Sequence, residues 1–339
     1  MVTEDALKNS RVAVVDFSTF LDGSNKQGVA DTIFSSFKEA GFVYILNHGI
    51  SPEQIAKIFA ASKEFFTQPM DVKELARHPP LGTHHRGYSA PGREKIIQPN
   101  SMGDVEAPRP AVPDFREHFE CGSEESTENP NIWLPDGALP RFKESCLEFF
   151  WLCYDVELNI LRALAMGMGL EEEYLCRFHS VPDEGNMLRL LYYPSVPAEA
   201  LRNETVERIS AHSDYASITL LLQDDAGGLE IEDPHTPGVF RPVPPIPNAL
   251  VVNAGDFMKR WSNDTIKSTM HRVCAPPGLE TSDGMIPARY SIPFFCGADP
   301  NVVVDCIPGT WDAERPKKYE PISAGEYVRK RQAVAYVDH

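Results

Sequence analysis

The chain has 339 residues, of which 42% are hydrophobic and 24% charged, a composition that supports a folded core and argues against disorder over most of the length. Its 49 acidic against 32 basic residues give a net charge of −17, with no basic run, which argues against nucleic acid as a partner. No run approaches the roughly 20 apolar residues needed to span a bilayer, residues 1–9 are polar and mixed in charge, and the seven cysteines are scattered without a C-x-x-C spacing. The expectation is a cytoplasmic chain with reduced thiols and no membrane partner. Its oligomeric state stays open.

Residues 12–17 read as a short strand. Val29, Ile33, Phe34 and Phe37 then recur at helical spacing, and Gly41 ends that helix before an apolar strand at 42–46. A second helix carries Ile55, Ile58, Phe59, Ser62 and Phe66 on one face. Between 79 and 113 the periodicity gives way to glycines and prolines, which predicts a long loop with His84 and His85 in solvent. Residues 141–169 repeat Phe142, Cys146, Phe149, Cys153, Val156, Ile160 and Leu164 at steps of three and four, the stripe of a long helix packed on the core. The texture then changes to short β-like runs at 188–193, 218–222, 228–231, 249–253, 269–273 and 288–295, punctuated by turn residues, with a proline-rich turn at 241–247. The expected fold is mainly β with flanking helices, an all-β barrel or jelly roll following a helical N-terminal region.

A metal-binding pattern lies within the β runs. His212 and Asp214 are two apart in Ala211-His212-Ser213-Asp214, and on a strand that spacing puts an imidazole and a carboxylate on one face. His271 follows in another strand candidate, expected across the barrel from the first pair. Two histidines and one carboxylate on one side of a metal leave open positions, the arrangement that suits non-haem Fe(II) and O₂. Arg289 and Ser291 again share a strand face, where a guanidinium and a hydroxyl can hold a distal carboxylate. A dicarboxylate whose other end chelates the metal fits between them, which describes 2-oxoglutarate.

From about residue 12 to 336 the chain resembles the isopenicillin N synthase-like branch of the Fe(II)/2-oxoglutarate-dependent dioxygenases. The resemblance rests on Val14-Val15-Asp16-Phe17, Ala40-Gly41-Phe42-Val43-Tyr44 and Asn47-His48-Gly49-Ile50, and on the His212-x-Asp214, His271 and Arg289-x-Ser291 core. It implies a double-stranded β-helix framed by helices, divided into an N-terminal region at 1–120, a bracing helix at 141–170, the jelly-roll core at 185–300 and a C-terminal extension at 301–339. It also implies Fe(II) on His212, Asp214 and His271, and 2-oxoglutarate on Arg289 and Ser291. Oxidation of a substrate C–H would be coupled to conversion of 2-oxoglutarate and O₂ to succinate and CO₂, with ascorbate as a supportive additive in vitro. The family's Asn-Tyr-Tyr-Pro segment reads Leu191-Tyr192-Tyr193-Pro194 here, so Tyr193 inherits contact with the cosubstrate while Leu191 departs from the pattern. Two further segments, residues 86–95 and 263–269, resemble a fungal subgroup that includes thymine 7-hydroxylase and ring-expanding, tropolone-forming dioxygenases of secondary metabolism.

For the substrate, Arg189 precedes Tyr193 by four on one strand face, Tyr215 follows Asp214, and Phe295 lies four beyond Ser291. Stacking on Tyr215 or Phe295 favours a ring, and Arg189 suits a carbonyl or enolate oxygen. The expectation is a small aromatic or heterocyclic molecule. Three alternatives compete: a pyrimidine methyl hydroxylase of salvage metabolism, an isopenicillin N synthase-like oxidase of an amino acid or peptide that needs no 2-oxoglutarate, and a metal or small-molecule binding protein that retains the fold. His48 is expected to be structural and bonded to backbone. Asp114, Arg116, Glu117 and Glu120 are expected as a salt-bridged or solvated strand, and Asp256 as a turn residue.

Overall fold

The computed structural model of the chain describes residues 12–79, 86–93, 114–127, 129–180, 185–203, 208–275 and 278–335, with side chains to 331. His84, His85 and most of the expected 79–113 loop lie outside the described residues. One part of that loop is a strand.

In chain order the strands are β1 (Ala13–Asp16), β2 (Phe42–Leu46), β3 (Gly87–Ser89), β4 (Glu117–Cys121), β5 (Met187–Tyr193), β6 (Val196–Pro197), β7 (Ile209–His212), β8 (Ile218–Gln223), β9 (Leu229–Glu232), β10 (Phe240–Pro242), β11 (Leu250–Ala254), β12 (His271–Val273), β13 (Met285–Ile286), β14 (Arg289–Cys296), β15 (Val303–Val304) and β16 (Ile322–Ser323). Eight of them form one sheet in the order β1-β2-β11-β8-β14-β5-β4-β3. A four-stranded sheet, β10-β9-β12-β7, supplies the second layer of the jelly roll. The N-terminal strands β1 to β4 are therefore outer members of the large sheet. The expected 241–247 turn is partly strand, since β10 includes Arg241 and Pro242.

The helices form where the sequence signals them. Ser51 caps the Pro52–Phe66 helix in a capping box with Gln54, and proline occupies its first turn, where no N–H is needed. Asn25 caps the Lys26–Glu39 helix by accepting from the Gly28 N–H. Gly41 follows at φ +70°, and a Cβ there would meet the Lys267 carbonyl at 2.5 Å, so glycine lets the segment leading to His271 lie against the helix end. The Phe142–Gly167 helix buries all seven residues of the expected stripe. Its Phe150 meets Phe294 edge-on at 5.1 Å.

The two faces of the large sheet differ in chemistry, the outer being apolar and the inner mixed. Ile218, Leu220 and Leu222 of β8, Ile292, Phe294 and Cys296 of β14, and Leu188 and Leu190 of β5 all belong to the main core shared with the helices. Residues one step along each strand face the small sheet, and the register aligns them in rows. One row runs Phe42, Asn253, Thr219, Phe295, Met187; another runs Gln223, Ser291, Leu191, His118. This inner face is mixed: polar side chains such as Asn253, Thr219, Gln223 and Ser291 lie beside a smaller apolar core that includes Phe42, Tyr44, Leu191 and Val251 and small-sheet residues Ile209, Leu229 and Ile231. Apolar burial on the outer face, about 1.5–3 kcal/mol for each fully buried Leu, Ile or Phe side chain, offsets the cost of that interior.

Candidate functional site

His212 is the last residue of β7, and Asp214 lies past the strand end in the turn toward β8. The two therefore converge through the geometry of a turn and not through strand alternation. His271 opens β12, which pairs with β7 so that His271 stands directly opposite His212. The expected placement across the barrel is corrected: both histidines come from neighbouring strands of the small sheet, and a register irregularity after His271 lets both rings point inward.

One ligand atom from each of His212, Asp214 and His271 lies within 4.8 Å of the others. Asp214 Oδ1 is 3.8 Å from His212 Nε2 and 3.7 Å from His271 Nε2, and the two rings lie 4.2 Å apart. Their far sides are all engaged. Nδ1 of His212 donates to the Ser210 carbonyl at 2.9 Å and Nδ1 of His271 to the Thr269 carbonyl at 3.2 Å. A carbonyl can only accept, so each proton sits on Nδ1 and each Nε2 lone pair faces the cluster. Asp214 Oδ2 accepts from Thr219 Oγ1 at 2.6 Å and Asn253 Nδ2 at 2.7 Å, leaving Oδ1 turned toward the imidazoles.

Electrostatics fit the same reading. Burial, and then the charge of His271, pushes the His212 imidazole down to about 3. Burial works against the Asp214 charge, but His271, His212 and the bonds from Asn253 and Thr219 outweigh it and hold the carboxyl below its ordinary range. At neutral pH the cluster presents at least one neutral imidazole and an ionised carboxylate, which is the state that accepts a divalent cation.

Arg289 and Tyr193 face each other across β14 and β5, with the guanidinium 5.0 Å from the ring centroid. The guanidinium is fixed on three sides: Nε donates to the Gly227 carbonyl at 2.9 Å, Nη1 to Ser291 Oγ at 2.9 Å and Nη2 to Gln223 Oε1 at 3.3 Å. Arg289, Ser291 and Tyr193 are each 1% exposed. Arg289 forms no ion pair with a carboxylate among the described residues, although the Asp224 charge lies within its field.

At the other end of the inner face, the Arg189 guanidinium lies 5.5 Å from the Phe295 ring and is ion-paired with the fully buried Glu120. The 114–120 cluster is thus neither solvated nor confined to one strand. Asp114, Arg116, Glu117 and Glu120 are all buried, Arg116 pairs with Asp114 at 3.3 Å, Glu117 bonds Lys73 and Tyr88, and the Arg116 charge is among those that hold His212 down. Tyr215 leaves the turn after Asp214, and Arg331 of the C-terminal Ala324–Ala335 helix lies 4.6 Å over its ring.

The sequence reading missed the groups that hold the site. Thr219, Asn253 and Gln223 lie on the face of the large sheet that also carries Ser291 and Phe295, a placement fixed by strand pairing that sequence spacing does not show. Arg331 carried no signal in the sequence. Asp256 starts the Asp256–Trp261 helix, where its Oδ2 accepts from Ser213 Oγ at 2.9 Å and pairs with Arg331 at 2.7 Å. His48 is structural as expected: Nε2 donates to the Asn248 carbonyl and Nδ1 accepts from the Ile50 N–H.

Two imidazoles and a carboxylate that could hold a metal ion, set in a two-sheet jelly roll with a buried arginine and serine, match the architecture of a non-haem oxygenase. The chain belongs to the 2OG-Fe(II) oxygenase superfamily, whose model matches residues 184–298, while residues 12–136 match the N-terminal region of non-haem dioxygenases in morphine synthesis. Among its relatives, a 2-oxoglutarate-Fe(II) type oxidoreductase, ppzD, of Metarhizium rileyi is 36% identical over 96% of this chain and 92% of its own length. The proline hydroxylase buaE of Petromyces alliaceus is likewise 36% identical, over 95% of this chain and 98% of its own. Among solved structures, the full-length thymine 7-hydroxylase of Neurospora crassa in complex with alpha-KG and thymine is 41% identical, covers 99% of both chains and superposes with a TM-score of 0.85. The protein is therefore an Fe(II)- and 2-oxoglutarate-dependent oxidoreductase of the dioxygenase class. No helix among the described residues is long and apolar enough to cross a membrane.

Proposed function

We propose that His212, Asp214 and His271 hold Fe(II), that Arg289, Ser291 and Tyr193 hold the distal carboxylate of 2-oxoglutarate, and that Arg189, Tyr215 and Phe295 receive a small aromatic or heterocyclic substrate. The observation that carries this reading is the convergence of Nε2, Nε2 and Oδ1 with every opposing atom already bonded. When bound, the iron with 2-oxoglutarate and O₂ supplies the oxidation of a substrate C–H, releasing succinate and CO₂. The residues of the chain orient and exclude. Arg289 and Ser291 anchor one end of the cosubstrate, and the buried inner face keeps both partners in a fixed frame away from bulk water.

A ring substrate is supported by Phe295, which offers a flat face beside a guanidinium. Because Glu120 already neutralises Arg189, the pair presents a donor and an acceptor edge together, and a neutral heterocycle with carbonyl and N–H groups complements both. The thymine held by the Neurospora enzyme is such a ring. A free amino acid is the competing substrate, favoured by the name of the buaE relative, and its carboxylate would have to compete with Glu120 for Arg189. An oxidase without 2-oxoglutarate is disfavoured, since the buried Arg289 and Ser291 stand ready for a dicarboxylate. A cytoplasmic setting agrees with seven cysteines that form no disulfide. We also propose the division into an N-terminal region, bracing helix, jelly-roll core and C-terminal extension at the boundaries given above. Ascorbate would serve in assays to keep the iron reduced.

The test is anaerobic titration of the Fe(II) enzyme with 2-oxoglutarate, followed by the shift of the resulting visible absorption band with thymine, other pyrimidines, phenolic aldehydes and amino acids. His212→Ala, Asp214→Ala and His271→Ala should each lose iron. Arg289→Leu should keep iron and bind 2-oxoglutarate about a thousandfold more weakly, from roughly 3–5 kcal/mol for an uncompensated buried charge. Unchanged 2-oxoglutarate affinity in Arg289→Leu would remove the cosubstrate assignment. A response to amino acids alone, insensitive to Phe295→Ala, would replace the ring reading by the amino-acid one.

A further inference from the structure

Arg208 immediately precedes β7, the edge strand of the small sheet, and its Nη2 donates to the Pro287 carbonyl in the segment leading into β14 of the large sheet, two residues before Arg289. Arg208 and Arg289 are among the largest fully buried side chains of the described residues. They are neighbours. Burial, and after it the charge of Arg289, pushes the Arg208 guanidinium below its ordinary range.

The rest of Arg208 lacks an explanation within the protein. Its Nε and Nη1 are buried and have no hydrogen-bond partner among the described residues. The carboxylate near both arginines is Asp224, and its oxygens are taken by backbone: Oδ2 accepts from the Tyr290 N–H at 2.6 Å and Oδ1 from the Ala226 N–H at 3.1 Å. Burial also pushes the Asp224 carboxyl up, which makes it a weak counter-charge. Two guanidiniums buried in one region repel each other unless an anion lies between them. A guanidinium with two donors unused is shaped to meet one carboxylate.

We propose that Arg208 is a second cation on the distal carboxylate of 2-oxoglutarate, closing from the small sheet the clamp that Arg289 and Ser291 form on the large one. This rests on the cosubstrate assignment above and goes beyond it by naming a specificity residue on the opposite sheet. Arg208 then selects a doubly charged 2-oxo acid over a singly charged one. A purely structural Arg208 would staple Pro287 and leave that selectivity unchanged.

The experiment compares 2-oxoglutarate with 2-oxobutyrate, which keeps the chelating end and lacks the distal carboxylate. Each is titrated anaerobically into the Fe(II) enzyme and read by the visible absorption band. The wild type should prefer 2-oxoglutarate. Arg208→Gln, which retains a donor for the Pro287 carbonyl but no charge, should weaken 2-oxoglutarate about 10- to 100-fold and change 2-oxobutyrate by less than about threefold, so the ratio collapses. Arg208→Lys should recover part of it, and serves if Arg208→Gln melts below the assay temperature. An unchanged ratio in a folded Arg208→Gln enzyme overturns the proposal. So does a loss confined to substrate, which would make the bound anion a substrate group. A wild type with no preference for 2-oxoglutarate would instead refute the cosubstrate assignment itself.

Discussion

The orientation of Asp214 depends on two residues that touch no ligand position themselves. Thr219 and Asn253 are direct cross-strand partners on β8 and β11, and both donate to Oδ2, at 2.6 and 2.7 Å. Replacing them by Thr219→Val and Asn253→Leu keeps the approximate volumes and removes both bonds. A hydrogen bond to a charged group contributes about 1.5–3 kcal/mol, and loss of a partner behind a metal ligand commonly costs about 10- to 100-fold in metal affinity. Either single variant leaves the carboxylate pinned by the other bond, so each should weaken metal binding by about tenfold or less. The double variant frees the carboxylate to rotate Oδ1 away from the imidazoles, and its loss should exceed the product of the two single losses. Anaerobic titration with Fe(II), and with Mn(II) as a redox-inert check, measures all three against wild type. A double variant with wild-type metal affinity would refute the idea that Oδ2 anchoring sets the site.

Two other perturbations probe the frame. Gly255 lies so close to the turn after His212 that a Cβ would stand 2.1 Å from the Ala216 carbonyl and 2.9 Å from that of Asp214, so Gly255→Ala should displace the Asp214 turn and reduce metal affinity while the circular dichroism spectrum stays native; intact metal binding would show that the turn yields freely. Glu157 is fully buried, and burial raises its carboxyl well above the ordinary range against the lowering bonds of Asn186 and Cys296. A raised folded-state value means its stabilising contribution is present below the unfolded carboxyl value and is lost as pH rises through the folded one. Glu157→Gln should therefore raise the melting temperature by a growing margin toward alkaline pH, and a margin that shrinks instead would reverse the assignment.

Much of the fold was legible because periodicity reports one buried face at a time. The stripe from Phe142 to Leu164 is buried throughout, and the strands at β5, β8, β11 and β14 fall within a residue or two of their expected limits. Strand order was not legible. Nothing in the spacing of His212 and His271 says that their strands are neighbours, because pairing depends on contacts distant in sequence. Polarity also misled. In the run Ile218–Gln223, alternation puts Ile218, Leu220 and Leu222 on one face and Thr219, Leu221 and Gln223 on the other, and the usual rule would turn the more polar face to solvent. Here the first face meets the helices and the second faces the other sheet, where Leu221 packs on a smaller apolar core, leaving Thr219 only 2% exposed. The same inversion hid Glu120 and Arg116, whose charges look like surface although Glu120 pairs with Arg189 and Arg116 with Asp114 out of contact with solvent.

That inversion also separates the parts that must stay fixed from those that can vary. On the assignments proposed here, the metal ligands, their anchors and the cosubstrate clamp all lie between Arg189 and Phe295, and the anchors Thr219 and Asn253 and the clamp residues Arg289 and Ser291 sit on strands whose outer faces lock into the main core. The substrate end draws on more distant chain: Glu120 and Arg116 come from the N-terminal region, and Arg331 over Tyr215 comes from the C-terminal helix. A change at Glu120 alters the charge presented beside Phe295, because Arg189 would lose its counter-ion, yet Glu120 bonds none of the three ligands' far sides. Relatives with different substrates can thus share one oxidising centre while differing at its two flanks. Specificity is then adjustable at little cost to iron binding, since the hydrogen bonds that orient the ligands never pass through the residues that recognise the substrate.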